Sequence, residues 1–185
     1  ATLGVIGLGR LGARVSTVAR AFGMRVLAWS HNLDERRCAA CGVERAPSLT
    51  ALLRASDFVS IHSVLSARTR GLIGTAQLQA MRRSAFLVNT SRAEIVDEAA
   101  LLQALSAGTI AGAGLDVFAQ EPLPPQHPLR SLPQVVATPH IGYVTHGLYR
   151  RIYRDVVEDI AAWLQGRPLR EVTEQHPARA APAGT

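Results

Sequence analysis

Short apolar runs alternate along this chain with longer segments in which apolar residues recur every three or four positions. The short runs are rich in Val, Ile, Leu and Ala, and such runs are typical of strands buried on both faces of a sheet. We predict six of these strands: Thr2–Gly7, Arg25–Trp29, Phe58–His62, Ala85–Asn89, Ile110–Asp116 and Val135–Thr138.

Helical periodicity fills the intervals between the predicted strands. Helices are expected near residues 10–22, 48–55, 74–81 and 97–107, followed by a longer helix at about Gly147–Leu164. Ser48 and Asp97 can cap two of these helices, because their side chains accept hydrogen bonds from backbone N–H groups of the first turn. Strands separated by helical crossovers predict an α/β fold with a doubly wound parallel sheet, and we expect the strand order 3-2-1-4-5-6.

Two later segments have a different composition. Residues 119–134 (AQEPLPPQHPLRSLPQ) contain five prolines, which exclude an α-helix. An irregular segment of this length inside a compact domain is more often functional than a plain connection. The chain ends in PARAAPAGT, so we predict one domain over residues 1–166 and a partly disordered tail over residues 167–185.

Composition and charge exclude several classes of protein. The chain has 185 residues, of which 48% are hydrophobic, enough to bury one substantial core. It contains no apolar run of about 18 residues and begins without the features of a signal peptide, so we expect a cytoplasmic protein without a membrane partner. The net charge is +6 and every basic residue is Arg, but these residues are scattered, so we predict no nucleic-acid partner.

Cys38 and Cys41 form a C-x-x-C pair in an Ala-rich segment of helical character. No second cysteine pair and no preceding strand accompany them, as a zinc site or a redox motif would require. We interpret them as two solvated or half-buried thiols and predict no metal site.

The sequence VIGLGRLG, residues 5–12, carries the pattern G-x-G-x-x-G between a predicted strand and a predicted helix. In that setting the first glycine permits the turn, the second lets the backbone approach a phosphate, and the third allows close helix–strand packing. The helix N-terminus adds free N–H groups that bind a pyrophosphate. We therefore favour a Rossmann-type dinucleotide site over a plain turn, with cofactor contacts from Gly7, Gly9, Arg10, Leu11 and Gly12.

Polar side chains collect where the predicted strands end. The carboxyl ends of parallel strands lie at one edge of a sheet, and ligands of open α/β sheets bind outside that edge. One polar residue at a strand end is common and does not indicate a ligand site, but several from distant parts of the chain do. The candidates are Ser30, His62, Thr90, Arg92, Asp116 and His140.

Three further motifs follow the glycine pattern along the chain: NTSRAEIVDEAAL (89–101), GLDVFAQEP (114–122) and TPHIG (138–142). Together with VIGLGRLG they resemble the D-isomer-specific 2-hydroxyacid dehydrogenases over about residues 2–166. The resemblance implies an NAD(P)-dependent oxidoreductase that transfers a hydride between a nicotinamide cofactor and a 2-oxo or 2-hydroxy acid. It also implies a homodimer formed through this domain.

The resemblance assigns roles to four residues. It implies that Arg92 binds the substrate carboxylate, that His140 is the catalytic acid/base with Glu121 as its partner, and that Asp116 contacts the nicotinamide carboxamide. These residue types suit the chemistry: histidine delivers a proton near neutral pH, a carboxylate orients the imidazolium, and arginine grips a carboxylate with a bidentate fork. His62 is interpreted as a packing or cofactor-side residue rather than a second catalyst.

The chain departs from the family pattern in three ways. Ala93 stands where glycine is usual, and Val64 where many members have proline. The family also carries an N-terminal substrate domain, whereas the resemblance here begins at the first strand of the cofactor domain, so we expect this chain to bind a dinucleotide but to turn over 2-oxo acids poorly. A non-catalytic dinucleotide sensor of the same fold is an alternative; a formate dehydrogenase is another, but its histidine pairs with glutamine, and Glu121 is a glutamate.

The choice of dinucleotide depends on the end of the second predicted strand. NAD-specific sites place Asp or Glu about 20 residues after the glycine pattern to bind the adenosine ribose. Here that place belongs to Ser30, followed by His31 and Asn32, none of which repels a 2′-phosphate. We therefore expect both NAD and NADP to bind, with a modest preference for NADP. If the loop folds back, the positive charge of His31, Arg36 or Arg37 would favour the 2′-phosphate, and Asp34 and Glu35 would offset that charge.

Overall fold

The computed structural model describes residues 1–172, which fall into two compact units: Ala1–Gly142 and a second unit that begins at Tyr143. The strands of the first unit are β1 (Thr2–Ile6), β2 (Arg25–Trp29), β3 (Glu44–Arg45), β4 (Phe58–Ile61), β5 (Phe86–Asn89), β6 (Gly112–Leu115) and β7 (Val135–Ala137). Its helices are α1 (Arg10–Ala21), α2 (Glu35–Cys41), α3 (Leu49–Ala55), α4 (Thr75–Ala80) and α5 (Glu98–Ser106). The described part of the second unit contains α6 (His146–Leu164).

All seven strands are parallel and form one sheet in the order β3-β2-β1-β4-β5-β6-β7. The predicted α/β class and doubly wound parallel sheet are confirmed. The predicted order was wrong for the six predicted strands, because Phe58–Ile61 pairs with β1 and the place beside β2 belongs to β3. The pattern missed β3 because it consists of two exposed charged residues at the sheet edge.

Helices cover both faces of this sheet. One apolar cluster joins alternate residues of β1 and β2, such as Val5 and Val26, to α1 and α2. A larger cluster joins the opposite face of the sheet to α3, α4 and α5 through residues such as Leu52 and Leu105. With both faces buried, the strands read as continuous apolar runs, which is why they could be predicted.

The helix starts agree with the predicted caps. Ser48 Oγ accepts the N–H of Ala51 at 3.1 Å, and Asp97 Oδ1 accepts the N–H of Ala100 at 3.0 Å. The proline-rich segment 119–134 contains only one 3-10 turn, Pro128–Arg130, and no α-helix.

The interpretation of the two cysteines needs a correction. Cys38 is buried, 1% exposed, because the inner side of α2 packs into the cluster of β1 and β2. Burial raises the pKa of the Cys38 thiol, so this residue behaves as a small apolar side chain rather than a solvated thiol. Cys41 is partly exposed, as predicted. No cluster of metal ligands occurs within residues 1–172.

The boundary at residue 166 stays a prediction. Residues 167–172 form no helix or strand, and the rest of the predicted disordered tail, including PARAAPAGT, lies outside the described residues. Of the helices in the described part of the chain, none combines the length and the apolar character that a membrane span requires.

Candidate active site and cofactor site

The sheet register aligns the candidate residues along one edge. Across the sheet, Trp29 pairs with Ile6, Ile6 with Ile61, Ile61 with Asn89, Asn89 with Leu115, and Leu115 with Ala137. The next residue of each strand therefore stands in a second row at the carboxyl edge. That row consists of Ser30, Gly7, His62, Thr90, Asp116 and Thr138.

The turn after β1 requires two of its three glycines for its own geometry. Gly7 has a positive φ of 99°, and a Cβ there would lie 2.8 Å from the backbone nitrogen of Ser63. A Cβ on Gly12 would come within 2.1 Å of the carbonyl oxygen of Gly7, so α1 could not approach β1 as closely. Any larger side chain at either position would displace the backbone.

Gly9 differs from the other two glycines. A Cβ there would meet no atom within 4 Å among the described residues, and its φ of −78° is open to any residue. Gly9 caps α1, whose first N–H groups have no capping side chain and no acidic residue in the first turn. Arg10 and Leu11 are exposed beside it. The open space and the free N–H groups fit a pyrophosphate.

The loop after β2 folds back onto the glycine-rich turn. Arg37 Nε donates to the carbonyl oxygen of Leu8 at 3.2 Å, so this guanidinium lies beside the turn. Asp34 Oδ1 accepts the N–H of Arg37 at 2.7 Å and caps α2. His31 and Asn32 are exposed, and Ser30 is half-buried. Arg37 is thus in hydrogen-bond contact with the glycine-rich turn.

His62 lies in the middle of the edge, beside Gly7. Its Nε2 is 2.9 Å from Ser60 Oγ, and burial lowers the pKa of the imidazole. A neutral ring in this position agrees with a packing or cofactor-side residue. Val64, where the family often has proline, is exposed in the loop that follows.

The proline-rich segment brings Glu121 to His140 across 19 positions of the chain. His140 Nδ1 lies 2.8 Å from Glu121 Oε2, while Glu121 Oε1 accepts the N–H of Phe118 at 3.0 Å. The hydrogen bonds with His140 and Phe118 hold the pKa of Glu121 below its ordinary value. The carboxylate is therefore ionised at neutral pH and can only accept, so Nδ1 of His140 donates the proton in this contact.

Asp116 has a role that was not predicted. Its Oδ1 accepts the hydroxyl of Thr138 at 2.6 Å and the N–H of Ile141 at 2.9 Å, and its Oδ2 accepts the N–H of Gly142 at 2.8 Å. Burial alone would raise the pKa of Asp116, but these hydrogen bonds outweigh it and lower the pKa. The carboxylate thereby ties down both sides of His140, which has a positive φ of 56°.

Arg92 lies on the turn after β5. Asn89 shapes that turn: its Oδ1 accepts the N–H of Ser91 and its Nδ2 donates to the carbonyl of Arg92, both at 3.0 Å. The Arg92 guanidinium is exposed and donates to the carbonyl of Ser91 at 2.6 Å. Ala93 begins a 3-10 turn with φ outside the left-handed region, so this position does not require glycine. Thr90 is exposed on the same turn.

A cavity of about 560 Å³ adjoins the histidine–glutamate pair. It is lined by Phe118, Glu121, Pro122, Leu123, Arg130, Ala137, Thr138, Pro139 and His140. Arg92 is not among these residues, so the structure brings together two of the three predicted catalytic residues. Arg130 was not predicted, because an arginine in a proline-rich segment carries no motif of its own.

Comparison with known proteins agrees with this geometry. Residues 1–142 match the family described as D-isomer specific 2-hydroxyacid dehydrogenase, NAD binding domain. A glyoxylate reductase of Korarchaeum cryptofilum is 44% identical over 183 residues, which cover 99% of this chain and 55% of that protein.

Solved structures show the same likeness. A phosphoglycerate oxidoreductase from Vibrio cholerae has a TM-score of 0.83 at 34% identity, covering 89% of this chain and 53% of the other. The NAD-complexed D-isomer specific 2-hydroxyacid dehydrogenase from Lactobacillus delbrueckii has a TM-score of 0.77 at 31% identity, covering 93% and 56%. This chain spans about half the length of the relatives it matches.

Proposed function

The chain belongs to the D-isomer specific 2-hydroxyacid dehydrogenase family, as its NAD-binding domain, and we propose that it serves NAD(P)-dependent reduction of a 2-oxo acid to a 2-hydroxy acid. The contact between His140 and Glu121 carries this proposal. A histidine hydrogen-bonded to a carboxylate beside the cofactor edge is the arrangement that proton transfer to a carbonyl oxygen requires.

The bound nicotinamide would supply the hydride for the carbonyl carbon. The protein must then supply a proton to the carbonyl oxygen, and His140 presents Nε2 for this transfer because Glu121 occupies Nδ1. The ionised Glu121 accepts the Nδ1 proton and so holds the orientation of the ring during the transfer.

Two other residues would position the reactants. We propose that Arg92 turns its exposed guanidinium from the Ser91 carbonyl to the substrate carboxylate, for which its planar fork is suited. Asp116 has used three of its roughly four acceptor sites, so one remains for the nicotinamide carboxamide. Thr90, two residues before Arg92 on the same turn, would line the cofactor.

Binding and turnover together test the proposal. Calorimetry with NADH and NADPH measures binding to the 185 residues, and absorbance at the nicotinamide band measures reduction of glyoxylate and hydroxypyruvate. We expect binding with slow turnover by this chain, and faster turnover by the protein expressed at the full length of its reading frame. Binding without turnover at full length would favour the dinucleotide sensor instead.

We further propose a modest preference for NADP. The absence of a carboxylate at Ser30 and the position of Arg37 beside the glycine-rich turn support it. A charge-assisted contact contributes about 1.5–3 kcal/mol, so Arg37→Gln should weaken NADPH about tenfold or more. NADH should change little, and Arg36→Gln, the neighbouring exposed arginine, is the matched control. Equal losses for both cofactors would contradict the assignment.

We also propose that the protein forms a homodimer. The helix α6 has no buried residue, and Ile152, Val156, Ile160 and Trp163 expose between 42% and 69% of their surface. Apolar surface of this kind favours contact with another protein surface. Light scattering at several concentrations measures the mass, and a monomer at every concentration would contradict the proposal.

A further inference from the structure

Arg130 is an exposed residue whose guanidinium donates hydrogen bonds to two backbone carbonyl groups. Its Nε donates to the carbonyl of Pro124 at 3.0 Å and its Nη2 to the carbonyl of Leu123 at 2.7 Å. Within residues 1–172 it forms no salt bridge with any carboxylate. A planar guanidinium can hold two successive carbonyl oxygens at once, which an ammonium cannot.

The stretch that Arg130 holds is supported by the burial of the Leu123 side chain in the core but by few backbone hydrogen bonds. Pro122, Pro124 and Pro125 lack N–H groups, so this stretch cannot join a backbone ladder. The Pro124 carbonyl also accepts the N–H of His127 at 3.1 Å. Among the hydrogen bonds of the described residues, the Leu123 carbonyl accepts from the Arg130 guanidinium alone.

Glu121 lies in the same proline-rich segment, two residues before the first carbonyl that Arg130 holds. Arg130, Glu121 and His140 all line the same cavity. We propose that Arg130 is a positioning residue: by closing the loop between Leu123 and Arg130 within the proline-rich segment, it fixes the carboxylate of Glu121 against His140. The inference deepens the proposed function, since it concerns the same proton-transferring pair.

The test reads the state of the imidazole directly. Long-range proton–nitrogen NMR of the 185-residue chain reports which ring nitrogen of neutral His140 carries the proton, and it needs neither cofactor nor substrate. The resonances are assigned by their loss in His140→Asn. In the wild type we expect the Nδ1–H form, which Glu121 selects.

In Arg130→Gln the share of neutral His140 with its proton on Nδ1 should fall, as it should in Glu121→Gln. The double variant should show no larger fall than Glu121→Gln alone. Arg130→Lys keeps the charge but reaches one carbonyl at a time, so in this variant the share should also fall in part. If the guanidinium acted only through its charge, the Lys variant would match the wild type, which would overturn the proposal.

Arg45→Gln is the matched control. Arg45 Nε likewise donates to a backbone carbonyl, that of Leu33, at 2.8 Å, but it lies on β3 at the opposite edge of the sheet. Its removal should leave the His140 tautomer unchanged. Thermal unfolding by circular dichroism accompanies each variant, and a destabilised but folded Arg130→Gln with the wild-type tautomer would also overturn the proposal.

Activity supplies a separate readout at the full length of the reading frame. A misplacement of about 1 Å can cost about 10²-fold in rate, so Arg130→Gln should lower kcat by about 10- to 10²-fold with little change in cofactor affinity. Because the tautomer is measured without turnover, a protein that reduced no 2-oxo acid would refute the proposed function while leaving the positioning role measurable.

Discussion

The substitution Asp116→Asn tests whether one buried carboxylate holds the segment that carries His140. Asparagine keeps one oxygen, which can still accept from Thr138 and Ile141. Its amide nitrogen replaces Oδ2, which now accepts the N–H of Gly142 at 2.8 Å. Two donors then face each other, and the N–H of Gly142 loses its partner.

The expected loss of stability follows from these contacts. A buried donor without a partner costs about 1–3 kcal/mol, and the two remaining hydrogen bonds lose their ionic acceptor, so we expect roughly 2–3 kcal/mol in total. For a domain of this size the melting temperature should fall by roughly 5–10 °C. Asp97→Asn is the control. Asp97 is an exposed helix cap, and its replacement should cost little stability, because Asn and Asp cap helices about equally well.

The pH dependence gives a second, independent check. The pKa of Asp116 is lowered in the folded state, so its contribution is complete above the ordinary aspartate pKa of about 3.9 and is lost as the pH falls through the folded value. Urea unfolding at several pH values measures the free energy of unfolding. The difference in this free energy between wild type and Asp116→Asn should be constant above about pH 5 and should shrink at lower pH. A difference below about 0.5 kcal/mol at neutral pH, the range of ordinary surface substitutions, would refute this reasoning, as would a difference that persists in acid.

Three further predictions follow from single positions. His140→Asn should lower full-length reductase activity by about 10²–10⁴-fold without destabilising the fold, since Asn tolerates positive φ; a wild-type rate would show that another group donates the proton. Gly9→Ala should weaken dinucleotide binding and lower the melting temperature only slightly, through the poorer helix cap, whereas Gly12→Ala should destabilise the chain strongly; calorimetry and thermal melts separate the two, and equal melting losses would contradict the open site at Gly9. Iodoacetamide should modify Cys41 before the buried Cys38, as peptide mass spectrometry would show; the reverse order would contradict the burial of Cys38.

Residues close together in the chain were the ones whose arrangement could be predicted. The glycine pattern, the helix caps at Ser48 and Asp97, and the strands with both faces buried depend on a few neighbouring positions, so periodicity and residue type were enough. The pairing of Glu121 with His140 was expected from the resemblance, because the two residues lie 19 positions apart and no local pattern links them.

Contacts between distant positions required the tertiary structure. The strand Glu44–Arg45 exists because its backbone pairs with β2, and its two charged residues carry no apolar pattern. The positions of Arg37 beside the glycine-rich turn and of Arg130 on the proline-rich segment depend on how loops fold back. Long side chains reach partners set by the path of the backbone, whereas local pattern specifies only the element on which each side chain begins.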